Sequence, residues 1–236
     1  MHDHRHDLAA PPQGSVAERV HRRRRMVLGG TAVAMAIALG VLLWVRGNGP
    51  LAIDDRWMRD VLALRDPALT AISEAMNALG GGWFGVFVVP IGVGLAFLAA
   101  RRPWAALVFV GASAVSAGLV QVLKSVFGRA RPEDILVAVD PGSFPSGHVA
   151  NAATIAVVLG LLLSRRWVRA VGAAFVVLMA LSRTYLGAHW LSDTLGGALL
   201  GAGVGLLVWT ACSDRELAER DRAAAGRPVA PRTTAR

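Results

Sequence analysis

Residues 26–45, MVLGGTAVAMAIALGVLLWV, run for twenty positions without a charged side chain. A helix of about 20 residues rises about 30 Å, the thickness of the hydrocarbon core of a bilayer. Further apolar runs follow at 83–100, 104–123, 149–163, 170–187 and 194–211. In lipid each span must satisfy its own backbone hydrogen bonds, so these runs predict an all-α fold, a six-transmembrane-helix bundle. Residues 51–79 are amphipathic instead. Ile53, Trp57, Val61 and Leu64 share one helical face, and Leu69, Ile72, Met76 and Leu79 another. Short interfacial helices between spans 1 and 2 are expected there.

The apolar mass is small and aliphatic: 54% of residues are hydrophobic but only 6% aromatic. That balance suits helices packed closely in lipid, as does GGALLGAGVG, where Gly197, Gly201 and Gly205 lie four apart. The net charge of +9 is spread in clusters that flank apolar runs, at Arg22–Arg25, Arg101–Arg102 and Arg165, Arg166 and Arg169. Such flanking is the signature of cytoplasmic loops, and it excludes a nucleic-acid partner, which would need one basic face. The loop 46–82 is near neutral, with four Arg against four Asp and one Glu. Both termini are therefore expected in the cytoplasm of a multi-pass plasma-membrane protein. Segments 124–148 and 182–194 then share the extracytoplasmic face.

Three regions are expected: a disordered cytoplasmic tail over 1–25, a membrane domain over 26–211 and a second disordered tail over 212–236. Four arginines before an apolar run resemble a signal sequence, but the length of the run and Arg46 after it favour a retained helix. His2, His4 and His6 lie in the first tail, without a fold to organise them as metal ligands. The single cysteine, Cys212, excludes a disulfide framework.

Three polar stretches interrupt this pattern: KSVFGRARP (124–132), PSGH (145–148) and SRTYLGAHWLSD (182–193). Each has an ordinary structural reading. Lys124, Arg129 and Arg131 can snorkel to headgroups, PSGH can be a turn with Ser146 as helix cap, and His189 and Asp193 can share a helix face. Arg183, inside the outer end of a span, resists such a reading, because intramembrane charge is costly. Lys124 also stands out as the one lysine among 25 basic residues.

Taken together the three stretches compose a site for phosphoryl transfer. Lys124, Arg131 and Arg183 supply cations and fork-shaped donors for phosphate oxygens. Ser146 and the Gly147 amide stand at a helix N-terminus, which favours an anion. Two histidines complete the set. His189, with a carboxylate at i+4 to orient it, is the nucleophile candidate, and His148 is the acid for the leaving oxygen. No Asp/Glu/His cluster with metal-ligand spacing accompanies them, so no metal or other cofactor is expected.

These residues resemble the type 2 phosphatidic acid phosphatase superfamily. Its signatures Lys-x6-Arg-Pro, Pro-Ser-Gly-His and Ser-Arg-x5-His-x3-Asp stand here at Lys124–Pro132, Pro145–His148 and Ser182–Asp193. The resemblance implies a helical membrane phosphatase with a phosphohistidine on His189 and Asp193 as its orienting partner. His148 would protonate the leaving group and then activate water. Lys124, Arg131, Ser146, Gly147, His148 and Arg183 would cradle the phosphate. The expected substrate is a lipid phosphate or diphosphate, such as phosphatidic acid, phosphatidylglycerophosphate or a polyprenyl diphosphate. A lipid phosphotransferase of the same fold is the alternative within the enzyme class. A non-catalytic lipid-binding or transport protein is the alternative outside it. Oligomeric state is not encoded in these motifs.

Overall fold

The computed structural model describes residues 16–225, whose regular structure is entirely helical, with no strand among them. α1 spans Val16–Val45, α2 Ala52–Ala63 and α3 Pro67–Gly80. A π-helical turn, Phe84–Val88, leads directly into α4, Val89–Ala99. α5 (Pro103–Phe127), α6 (Gly147–Leu162), α7 (Arg166–Tyr185) and α8 (Leu191–Ala225) complete the chain. Local sequence sets several boundaries. The Asp66 carboxylate accepts the Ala68 and Leu69 amides at 2.7 and 3.1 Å and caps α3 just before Pro67. Gly128, at φ +54°, closes α5 in the left-handed conformation and donates its N–H to the Lys124 carbonyl.

Four helices are long and apolar enough to cross a membrane: α1, α5, α7 and α8. α3 and the 84–99 segment form a fifth candidate, bent by 44° at the glycines between them. α6 has 16 residues, about 24 Å of rise, which is short of a full crossing. Length and composition thus account for four or five of the six predicted spans. The segment between α1 and α4 does form two short helices, with α3 leaning on α7 and α6.

α1 and α8 also run past the predicted ends of the membrane domain, through 16–25 and 212–225. Those stretches are rich in Ala, Arg and Glu, good helix formers that extend an existing helix at one hydrogen bond per residue. An Arg22–Asp214 pair at 3.4 Å links the two extensions. Residues 1–15, with His2, His4 and His6, and residues 226–236 lie outside the described residues.

α8 is the central helix, in contact with α1, α5, α6 and α7. Its small residues allow this. A Cβ on Gly197 or Gly201 would collide with the carbonyl oxygens of Ser146 and Ala150 on α6, so the backbones meet as the four-residue spacing predicted. The outer surface is apolar: Val45, Trp83 and Trp167 are 72%, 80% and 67% exposed. A water-facing surface would not carry such a density of large apolar groups, whereas lipid accepts it.

The two ends of the bundle differ. At one end Arg102 pairs with buried Glu216 at 2.6 Å. Beside it the Glu219 carboxylate accepts the Trp104 and Ala105 amides at the start of α5. Arg220 donates to Ser164 at 2.8 Å there as well. The other end gathers all three polar stretches.

Candidate active site

Lys124 occupies the last turn of α5, and Gly128 then reverses the chain so that Arg129 and Arg131 fold back over the bundle. The loop to Phe144 is anchored by Arg131, whose Nε donates to the Asp140 carbonyl at 3.0 Å. Its Nη2 donates to the Gly142 carbonyl at 3.0 Å. The Ser146 amide donates to the Asp193 carbonyl at 3.0 Å, fixing the start of α6 against the start of α8. Each short motif is therefore held by another motif, not by its own helix.

α6 begins at Gly147, with Ser146 at the capping position. The Ser146 hydroxyl makes no capping bond; it is buried and has no protein partner. The ordinary reading of PSGH as a side-chain cap is thus corrected. A buried, unpaired hydroxyl costs stability unless a ligand uses it. His148 follows in the first turn, with Nε2 3.2 Å from the Asn77 carbonyl oxygen. Gly81 makes room for that ring, since a Cβ there would overlap His148 Nε2. Arg183, in the last turn of α7, is 1% exposed and donates through Nη1 to Asn77 Oδ1.

His189 lies in the turn between α7 and α8 and is 2% exposed. It precedes α8, so it does not share a helix face with Asp193 as the spacing implied. It reaches Asp193 across the mouth of that helix, with Nδ1 3.6 Å from Oδ2. That is ion-pair range and longer than a hydrogen bond. His189 Nε2 lies 3.3 Å from Arg131 Nη1. A guanidinium can only donate, so Nε2 carries the lone pair and Nδ1 the proton. Burial above all, then the positive charges of Arg131, Arg183 and Lys124, hold the imidazole neutral, well below its usual range. A neutral ring with a free Nε2 lone pair is a nucleophile at physiological pH.

Lys124, Arg131, Gly147, His148, Arg183 and His189 line one cavity of about 840 Å³. Its far walls are apolar, with Trp83, Phe84 and Phe87 from the bent segment and Ala117 and Gly118 from α5. Ser146 and Asp193 are not on its lining. Asp193 stands behind His189, fully buried. Among the described residues no three His, Cys, Asp or Glu side chains gather as a metal-holding group.

Several contributors escaped the sequence reading. Asn77 touches both Arg183 and His148. Asp140, half-exposed, pairs with Lys124 at 2.8 Å and with Arg131 at 2.9 Å. Burial alone would raise its carboxyl, but Lys124 first and then Arg131 outweigh this and hold it below the usual carboxylate range. One carboxylate thus occupies two of the cations that a phosphate would need. Asp140→Asn is expected to tighten vanadate inhibition about threefold to tenfold, the worth of two partly exposed ion pairs. Unchanged or weaker inhibition would show that Asp140 does not compete. Arg129, read as a headgroup anchor, is instead 1% exposed. It lies between Asp193 and Asp54 at 2.6 and 2.9 Å.

A helical membrane protein whose cavity joins three cations, two histidines and apolar lining offers the groups that binding and transfer of a phosphoryl group need. The PAP2 superfamily matches residues 105–216, and the chain belongs to that superfamily. Phosphatidylglycerophosphatase B of Bacillus subtilis (strain 168) is 30% identical over 168 residues, 66% of this chain and 82% of the relative. Decaprenylphosphoryl-5-phosphoribose phosphatase of Mycobacterium tuberculosis is 30% identical over 164 residues, 65% of this chain and 86% of the relative. The crystal structure of a transmembrane PAP2 type phosphatidylglycerolphosphate phosphatase from Bacillus subtilis superposes with a TM-score of 0.67 at 25% identity. That superposition covers 80% of this chain and 96% of the other.

Proposed function

We propose that this protein hydrolyses a lipid phosphate or diphosphate through a phosphohistidine on His189, at the extracytoplasmic face and without a metal. The observation that carries this reading is the free Nε2 lone pair of His189, set in the cavity beside Arg131 with Asp193 behind the ring. In the first step Nε2 attacks phosphorus as the bond to the leaving oxygen breaks. Lys124, Arg131 and Arg183 stabilise the charge on the equatorial oxygens, assisted by the amide end of α6 at Gly147. His148, entering the step as the imidazolium with Nε2–H held by the Asn77 carbonyl, gives its Nδ1 proton to the leaving oxygen and becomes neutral. In the second step His148 takes a proton from water, whose oxygen attacks phosphorus and frees Nε2. The lining is cationic where a two-metal phosphatase would present carboxylates. A chelator is therefore expected to leave activity unchanged, and vanadate to inhibit it. Activity lost in EDTA and restored by Mg²⁺ would contradict the metal-free reading.

The lipid part of the proposal rests on the apolar wall of the same cavity and on the short loop Glu133–Phe144, which offers little protein to enclose a soluble headgroup. The two relatives are named for lipids as different as phosphatidylglycerophosphate and decaprenylphosphoryl-5-phosphoribose. A polyprenyl diphosphate is our first choice, because a site open to the outer leaflet meets spent carrier lipid there. Hydrolysis of a polyprenyl diphosphate, phosphatidic acid and a water-soluble phosphomonoester should be compared in one detergent, with phosphate release as readout. Equal efficiency on the soluble ester would refute a membrane-restricted substrate. Preference for phosphatidic acid would refute only the polyprenyl choice.

The sidedness rests on the arginine clusters at the end opposite the site. With Cys212 replaced by Ser, a cysteine introduced by Glu133→Cys is expected to react with an impermeant thiol reagent added outside intact cells. Labelling only after permeabilisation would place the site in the cytoplasm.

A further inference from the structure

We propose that Asp54 and Arg129 are positioning residues of this site: Asp54 holds Arg129, and Arg129 holds Asp193 behind the nucleophilic histidine. The proposal rests on the reading of His189 as nucleophile. It concerns a helix, α2, that none of the three motifs includes.

Arg129 Nη1 donates to Asp193 Oδ1 at 2.6 Å and to Ser192 Oγ at 2.7 Å. Its Nη2 donates to Asp54 Oδ2 at 2.9 Å and to the Gly49 carbonyl at 3.2 Å. Asp54 in turn grips the first turn of α8. Its Oδ1 accepts the Ser192 amide at 2.8 Å, and its Oδ2 accepts the Ser192 hydroxyl at 2.7 Å. Asp54 Oδ2 also accepts the Leu51 amide at 3.0 Å, which ties the carboxylate to the start of its own helix. The three charged side chains are wholly buried. A guanidinium with two carboxylates placed this deep costs more desolvation than it needs to for packing alone. Apolar side chains would join α2 to α8 at lower cost, so the retained charge points to a task at Asp193.

The charges define that task. Asp193 has two oxygens: Oδ1 faces Arg129, and Oδ2 accepts the Trp190 amide at 2.9 Å and faces His189 Nδ1. If Arg129 met Asp193 alone, the pair would be neutral and the carboxylate would do little for the ring. Asp54 takes the other half of the fork, so the trio keeps one net negative charge beside the imidazole. When Nε2 forms its bond to phosphorus while Nδ1 keeps its proton, the ring becomes cationic. The trio's negative charge lies where that positive charge develops. Planarity matters as well, because a guanidinium spans two carboxylates at fixed angles and an ammonium does not.

The test compares Asp54→Asn, Arg129→Lys and Ser192→Ala with the wild type in the same detergent, reading kcat, KM, inhibition by inorganic phosphate and Tm. Glu216→Gln serves as a stability control, since it breaks the buried pair with Arg102 at the opposite end of the bundle. Asp54→Asn and Arg129→Lys are each expected to lower kcat about 10- to 100-fold, as loss of a partner behind a working histidine does. Competitive inhibition by inorganic phosphate, which depends on Lys124, Arg131 and Arg183 and forms no bond to Nε2, is expected to stay within about threefold. Glu216→Gln should lower Tm without lowering kcat. Ser192→Ala removes one link of the network without leaving a charge unpaired, so it reports even if the other two variants do not fold. A fewfold loss of kcat at unchanged inhibition by inorganic phosphate is expected there. Unchanged kcat in the folded variants, or kcat and phosphate binding lost in equal measure, would overturn the proposal. Full activity in His189→Ala would instead overturn the reading on which it rests.

Discussion

His189→Ala is expected to reduce turnover by about six orders of magnitude, to background, as removal of a nucleophile that acts as part of a unit does. The imidazole presents its Nε2 lone pair beside Arg131, in the cavity that Lys124 and Arg183 also line. Its neutral state is enforced by burial and by the charges of Arg131, Arg183 and Lys124. Alanine removes the lone pair and leaves Lys124, Arg131 and Arg183 in place, so inorganic phosphate should still bind. The protein should remain folded, because the start of α8 is held by Asp54, Arg129 and Ser146 and not by the imidazole. Measuring turnover beside Tm and its stabilisation by inorganic phosphate separates loss of chemistry from loss of structure. Wild-type activity in this variant would sink the mechanism.

His148→Ala is expected to cost about 10² to 10⁴ in rate, the usual contribution of a general acid or base. The ring lies in the cavity wall at the amide end of α6, with Nε2 against the Asn77 carbonyl. That contact assigns the Nε2 proton to the carbonyl and leaves Nδ1 as the nitrogen that can exchange a proton with the reacting oxygen. The loss should depend on the leaving group. An ester with an acidic leaving group needs no proton to depart, so the first step should recover most of its rate. The second step, which needs a base for water, should not. The expected signature in His148→Ala is a burst of leaving-group release followed by slow turnover. A uniform loss across leaving groups would assign His148 to binding alone.

Much of this was legible in the sequence because it depends on periodicity and short-range spacing. Twenty apolar residues without charge at 26–45 make a span, and Gly197 and Gly201 declared a close helix approach, although not that α6 is the partner. The cations and histidines were legible because they are expensive in an apolar context; Arg183 is the clearest case. What was not legible is long-range pairing. Asp54 is one of four Asp in the 46–82 loop, and nothing local separates it from Asp55 or Asp60. Its importance appears only when α2 folds onto Ser192, 138 positions away. Arg129 looked like its neighbour Arg131, and burial alone tells them apart. The helical spacing of His189 and Asp193 misled for a physical reason: α8 starts at Leu191, so the i+4 rule did not apply. The ends of α1 and α8 were missed because polar composition was read as disorder, although Ala, Arg and Glu also prolong helices.

The central claim is that the phosphoryl group passes through His189, and rapid chemical quench tests it most directly. Wild type and His148→Ala would be mixed with a phosphorus-labelled ester carrying an acidic leaving group, stopped in alkali to preserve phosphoramidates, and digested. The account predicts acid-labile label on the peptide that contains His189. That label should be transient in wild type, accumulate in His148→Ala and be absent in His189→Ala. Steady turnover by wild type, with no labelled peptide in His148→Ala or with label on another residue, would contradict it.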